Sequence, residues 1–232
     1  MGARGSSNLI QPRGRIEAVY GVLLNFRSDL EAMGAKLNEP PYKAPPREPV
    51  LYIKPRNTWS AQASPIPLPK EAPAVQVGAT LGLIIARDIS YGKVGEVEHC
   101  ISGLTVVNEV SLPHEEVFRP AIKQRCRDGF CPIGPQVVLA DAAAVTRRYV
   151  MRTYINEELK HECSTDELVR AVPQLLADIS SFMTLHAGTL VTIGVRRDTP
   201  LAKVGDSVTV EIDGIGRFQN TIVQEQVWSS DK

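Results

Sequence analysis

The sequence has no excess of charge of either sign: 26 lysines and arginines face 26 aspartates and glutamates. That removes the electrostatic footprint of a nucleic-acid-binding domain. Long apolar runs are missing too, and none approaches the roughly 20 residues of a helical membrane span. Cysteine is scarce, and Cys100, Cys126, Cys131 and Cys163 include no Cys-x-x-Cys pair, which argues against a zinc site. They read as reduced thiols packed inside a cytoplasmic protein, with Cys126 and Cys131 sharing one loop. The first 13 residues hold Gly, Ser and Arg but no acid. They lack the apolar core of a secretory signal, so residues 1–14 read as a disordered tail. No internal repeat is visible.

What is present is the composition of a globular domain. Of 232 residues, 43% are apolar, and residues 15–232 are expected to form one domain around one core. Ile16–Phe26, Val50–Ile53 and Val75–Ala86 read as strands, the last with its second half apolar on both faces. Arg27–Lys36 is helical in character, and the five prolines of Glu39–Pro49 impose an extended loop. Val145–Ile155 reads as a strand followed by a turn at Asn156-Glu157. Ser164-Thr165-Asp166-Glu167 is a capping box for a following helix. That helix would carry Leu168, Val172, Leu175, Leu176, Ile179 and Met183 on one stripe, with Pro173 bending it or shifting its start. Thr189–Val195, Ser207–Ile212 and Arg217–Gln224 read as strands, and Asp213-Gly214 supplies a hairpin turn. Many strands and few isolated helices give the class α+β, a β-rich roll with helices packed outside.

The densest chemistry lies between Gly103 and Pro135. Val106, Val107 and Val110 end a buried strand, and Pro113 and Pro120 then interrupt regular structure. Arg119, Lys123, Arg125 and Arg127 follow, with Asp128 beside a turn-forming Gly129. A long charged loop between apolar strands is a common place for a site. On composition alone it reads as solvated surface, its arginines paired with Glu115 and Glu116.

The strings GLTVVNEVSLP and FRPAIKQRCRDGFCPIGP resemble the fumarylacetoacetate hydrolase superfamily. YKAPP at Tyr42–Pro46, YIKPRNT at Tyr52–Thr58, SSFMTLHAG at Ser180–Gly188 and the segment Val204–Val223 extend the resemblance over roughly Arg15–Gln226. Within the superfamily the chain is similar to the amino-terminal copy in the isomerase/decarboxylases of homoprotocatechuate (4-hydroxyphenylacetate) degradation. The resemblance implies a mixed β-sandwich roll and a Mg²⁺ or Mn²⁺ cofactor acting as Lewis acid on a 2-oxo acid. The implied small-molecule partner is an unsaturated 2-oxo di- or tricarboxylate. The implied protein partner is a paralogous subunit or a second copy, and no nucleic acid or membrane is expected. The implied reactions are decarboxylation of 5-oxopent-3-ene-1,2,5-tricarboxylate and isomerisation of 2-hydroxyhepta-2,4-diene-1,7-dioate through a dienolate.

Against that pattern the chain departs in three places. The Glu-x-Glu metal clamp aligns with Gly78 and Thr80, and the third ligand with Glu109, a carboxylate one methylene longer than the usual Asp. One carboxylate of three holds Mg²⁺ poorly, so no tight metal site of the family type is expected. The general-base pair of the lid aligns with Asp29 and Ala32, or with Asp29 and Glu31 after a one-residue slip, and a Thr-Gly-Thr-Pro turn becomes Ile193-Gly194-Val195-Arg196. Lys54, Arg125, Arg127 and Asp128 keep their motifs and are the candidate substrate-binding residues, since arginine forks suit carboxylates. The alternative is an internal ion-pair network of Arg125 and Arg127 with Glu109, Glu115 and Asp128. Accordingly the chain reads as an enzyme subunit, or as a non-catalytic partner of a metal-complete paralogue, or as a dicarboxylate-binding module.

Overall fold

The computed structural model describes residues 10–11 and 14–226. Most of the expected tail lies outside these residues, as do residues 227–232. Within the tail, Ile10–Gln11 pairs antiparallel with Gly14–Arg15.

Twelve strands carry the architecture: β1 Ala18–Leu23, β2 Val50–Ile53, β3 Trp59–Ala61, β4 Ile66–Leu68, β5 Val75–Ile85, β6 Ile101–Ser111, β7 Cys131–Ile133, β8 Val150–Ile155, β9 Glu158–Ser164, β10 Thr189–Thr192, β11 Ser207–Ile212 and β12 Gly216–Gln224. A nine-stranded mixed sheet runs β2-β1-β10-β5-β6-β7-β3, with the short strands Val138–Leu139 and Leu201–Ala202 attached to β6 and β5. A five-stranded sheet, β9-β8-β11-β12-β4, lies against it. This is the expected β-rich α+β roll. The helices are short: α1 Arg27–Met33, α2 Ile122–Arg125, α3 Ala142–Thr146 and α4 Val172–Ser180. No described helix is long and apolar enough to cross a membrane.

The long antiparallel pair of β5 and β6 is the spine, in register from Gln76 opposite Ser111 to Ile84 opposite Gly103, with a one-residue shift before Ile85 pairs with Ile101. Its near-continuous apolar sequence follows from burial on both faces. Ala79, Leu81, Leu83 and Ile85 pack with Met151, Val210, Ile212 and Phe218 of the second sheet and with Leu175, Leu176 and Ile179 of α4. Each of these side chains except Ala79 contributes about 1.5–3 kcal/mol when fully removed from water. Alternate residues point the other way. There Ile84 and Val107 join Val19, Leu190, Cys131 and Ile133 in a second cluster. Gly78, Thr80 and Glu109 stand on that same face.

Local chemistry corrects two element boundaries. Val145 does not begin a strand, because Asp141 Oδ1 accepts the Ala144 N–H at 2.7 Å and starts α3 instead. The capping box at Ser164 and Glu167 forms, but it closes only the 3₁₀ turn Thr165–Glu167. The helix proper starts at Val172, with Pro173 in its first turn, where proline needs no N–H partner. Leu168 and Met183 therefore lie outside α4. The turn at Asn156 and Glu157 is sharp, with φ of 51° and 70°.

Candidate functional site around Glu109

Glu109 sits near the end of β6, directly opposite Gly78 on β5. The chain then loops out through α2, turns at Gly129 (φ 73°) and returns as β7. Lys54, immediately after β2, ties that loop down. Its Nζ lies 2.7 Å from Glu109 Oε1 and donates to the carbonyl oxygens of Val110, Phe130 and Arg125 at 2.8, 2.9 and 3.0 Å. Four oxygens share three ammonium protons, so Lys54 has no donor left for a ligand. It is 1% exposed, where an ammonium is stable only with this degree of compensation.

Arg125 approaches the same carboxylate oxygen from the other side, Nη1 to Oε1 3.2 Å. Its guanidinium stacks on the Tyr52 ring, 4.6 Å from the centroid. Two cations therefore meet one carboxylate, and the buried trio carries net positive charge. The second Glu109 oxygen, the Tyr52 hydroxyl, the Thr192 hydroxyl and Arg125 Nε are buried without a hydrogen-bond partner. Burial, with the nearby Glu109 charge, drives the Tyr52 phenol well above its ordinary range. Tyr52 fits only because Gly21 stands opposite it on β1. A Cβ there would fall 2.1 Å from the ring.

The other two clamp positions are filled by this chain's own packing. A Cβ at Gly78 would lie 2.7 Å from the Thr199 methyl and 3.1 Å from Val195. Thr80 donates its hydroxyl to Gly194 O at 2.6 Å. Gly194 itself has φ 92°, and a Cβ would collide with Val22 O at 2.3 Å.

The remaining candidates separate. Arg127 Nη2 holds both oxygens of Glu225, at 3.1 and 3.0 Å, and Arg127 Nη1 lies 3.8 Å from Glu71. Asp128 accepts from Asn57 Nδ2 at 2.7 Å. The structure thus brings Lys54 and Arg125 together at Glu109 and directs Arg127 and Asp128 elsewhere. Glu115 and Glu116 pair with none of these arginines; Glu115 instead accepts from Arg197 through its carbonyl.

A small cleft of about 50 Å³ opens beside the trio, lined among others by Asp29, Ser111, His114, Arg125 and Arg197. Asp29, on α1, accepts the Arg197 backbone N–H at 2.9 Å. Burial pushes its carboxyl up to about 6, against the opposing pull of that N–H. Burial likewise lowers the His114 imidazole. Tyr52, His114 and Arg197 were not legible as site residues. The one signal for Tyr52 is Gly21, a glycine inside a strand, which marks close approach by a neighbour.

Comparison with known proteins agrees with this architecture. The fumarylacetoacetate (FAA) hydrolase C-terminal family model matches residues 18–223. The chain is 39% identical over 212 residues to the 4-hydroxyphenylacetate degradation bifunctional isomerase/decarboxylase of Escherichia coli, covering 90% of this chain and 47% of that protein. It thus spans about half the length of the curated relatives it matches. Among solved structures, the 2-hydroxyhepta-2,4-diene-1,7-dioate isomerase from Mycobacterium marinum superposes with a TM-score of 0.73 at 26% identity, covering 90% of this chain and 75% of that one. Fumarylpyruvate hydrolase from Pseudomonas aeruginosa in complex with Mn²⁺ and pyruvate shares the fold, with a TM-score of 0.76 at 22% identity and 91% coverage of both chains. The chain belongs to the fumarylacetoacetate hydrolase family.

Proposed function

We propose that this chain is the supporting subunit of a two-part isomerase/decarboxylase of 4-hydroxyphenylacetate catabolism. The paired, metal-complete half would decarboxylate 5-oxopent-3-ene-1,2,5-tricarboxylate and isomerise 2-hydroxyhepta-2,4-diene-1,7-dioate. Support comes from the identity to half of such an enzyme and, above all, from one contact: the Lys54 ammonium 2.7 Å from Glu109.

The residues present do not fit the family's divalent cation. Glu109 is already neutralised by Lys54 and Arg125, and a metal there would face two fixed positive charges at close range. Gly78 offers no donor, and a longer side chain at that position meets Thr199 and Val195. Thr80 gives its proton to Gly194 O. The extra methylene of Glu over Asp lets the carboxylate reach Lys54, so a position that elsewhere serves chemistry here fastens the loop. In this reading Lys54 is a positioning residue: it clamps β6, α2 and the start of β7 together. Arg127 and Asp128 brace the same loop from outside. Arg125 is the member of the candidate set that borders both clefts beside Glu109 and still has a guanidinium nitrogen without a protein acceptor.

The test is reconstitution. The purified chain is assayed for loss of the ultraviolet absorbance of 2-hydroxyhepta-2,4-diene-1,7-dioate in Mg²⁺ buffer, alone and after mixing with a metal-complete paralogous subunit. Activity only in the mixture, above that of the paralogue alone, is expected. Turnover by this chain alone would overturn the proposal.

A further inference from the structure

A second, larger groove shares Leu23, Val117 and Arg125 with the small cleft but is lined by neither Asp29 nor His114. Its volume is about 510 Å³, within the usual range for small-molecule sites. Leu23, Val50, Leu51, Val117, Phe118 and Ile122 supply apolar walls, and the edge strand β2 forms one side. Among the described residues, Arg119 and Arg125 are the only charged ones lining it, and no carboxylate does. An apolar trough with cations alone complements one kind of occupant: a body without charge attached to an anionic group.

Arg125 sharpens that identification. It is 8% exposed, yet only one of its N–H donors, on Nη1, meets a protein acceptor among the described residues. Its Nε is buried without a partner. A guanidinium carries five N–H donors, and leaving buried donors unmatched is costly. The Tyr52 ring covers the guanidinium from one side, 4.6 Å from Cζ to the ring centroid, and the charge left on Nη2 suits a carboxylate.

We propose that this groove binds a monocarboxylate with a flat apolar body, such as an aryl or arylalkenyl acid, its carboxylate on Arg125 and its body between Leu51, Phe118 and Ile122. The site goes beyond the supporting role above and does not depend on it, because it needs neither a metal nor a partner subunit.

Cys126 provides a reporter. Its thiol lines the groove and is partly accessible, while Cys131 and Cys163 are buried and Cys100 is half-buried at a different place. The full chain is titrated with trans-cinnamate and with its neutral amide by calorimetry. In parallel, alkylation of Cys126 by iodoacetamide is followed by peptide mass spectrometry, with Cys100 as internal control. Cinnamate is expected to bind about tenfold or more tightly than the amide, the worth of one charge-assisted contact. It should slow alkylation of Cys126 but not of Cys100. Arg125→Met should abolish the preference for the acid. Because Arg125 also helps hold the loop, Ile122→Asp is the second variant: Ile122 is 55% exposed, so the fold should survive while binding and Cys126 protection are lost. Three results would overturn the proposal. One is no binding, and another is equal binding of acid and amide. The third is a ligand-free Cys126 that is inert until Ile122→Asp dissociates an oligomer, which would make the groove a protein interface.

Discussion

Arg125 and Arg127 stand two residues apart in one loop, in one sequence string, and reach opposite environments. Arg125 turns inward to Glu109, beneath Tyr52, where it shares a carboxylate with Lys54 and keeps donors unmatched. Arg127, whose Nε is likewise buried without a partner, turns its Nη atoms outward to Glu225 and Glu71, on side chains 31% and 62% exposed. The same residue type is thus a buried, charge-rich element in one case and a surface brace in the other. The difference is set by what lies under each position: the β5–β6 ladder under Arg125, the end of β12 under Arg127. A motif match identifies the loop; only packing decides which of its cations can meet a ligand.

Five substitutions, one of them made on top of another, break or sharpen that contrast. Lys54→Met should have the largest effect, about 3–5 kcal/mol in urea unfolding, because it leaves Glu109 buried with half its compensation and releases three carbonyls. Adding Glu109→Gln to that variant should recover part of the loss, which a purely steric role for Lys54 would not allow. Asp29→Asn comes next. The Asp29 carboxyl is raised from an ordinary 3.8 to about 6, so the folded state holds its proton longer than the unfolded chain does. The stability this gives is complete below the ordinary value and is lost as pH rises through about 6. Relative to Asp29→Asn, which keeps an acceptor for Arg197, the natural chain should lose up to about 3 kcal/mol across that window and nothing more above it. Thermal unfolding of both proteins from acid to neutral pH reads this directly. Gly78→Ala should cost about 1–3 kcal/mol through overpacking against Thr199 and Val195; an unchanged unfolding midpoint would show that the clamp position is roomier than the structure indicates. Arg127→Ala should be mildest, about 1 kcal/mol or less, and the difference should shrink in high salt as surface pairs do.

The fold was legible because its signals are local and redundant. β5 and β6 declare themselves by unbroken apolar runs, and the hairpin at Asp213-Gly214 by its turn residues. The two misplaced boundaries arose where a polar side chain chose between neighbours: Asp141 capping α3, and Ser164 capping a single 3₁₀ turn. The site was legible only in part. Gly78, Thr80 and Glu109 could be aligned to a ligand set, and they do share one face of the ladder. Nothing in the string says that Lys54, some 55 positions before Glu109 by sequence number, ends on its carboxylate, or that Glu225 takes Arg127. Such long-range pairings depend on the curl of the sheet. Asp29 offers a similar lesson, since its raised carboxyl follows from burial beneath the Arg197 backbone rather than from any residue beside it in sequence.

The proposal that Lys54 and Arg125 neutralise Glu109, so that no divalent cation is held there, rests on their two contacts with Oε1. Its most direct test is a titration of the metal-free chain with Mn²⁺, following the free-ion electron paramagnetic resonance signal. The expected signal grows with added Mn²⁺ as it does in buffer alone. Loss of signal at micromolar Mn²⁺, abolished by Glu109→Gln, would contradict it.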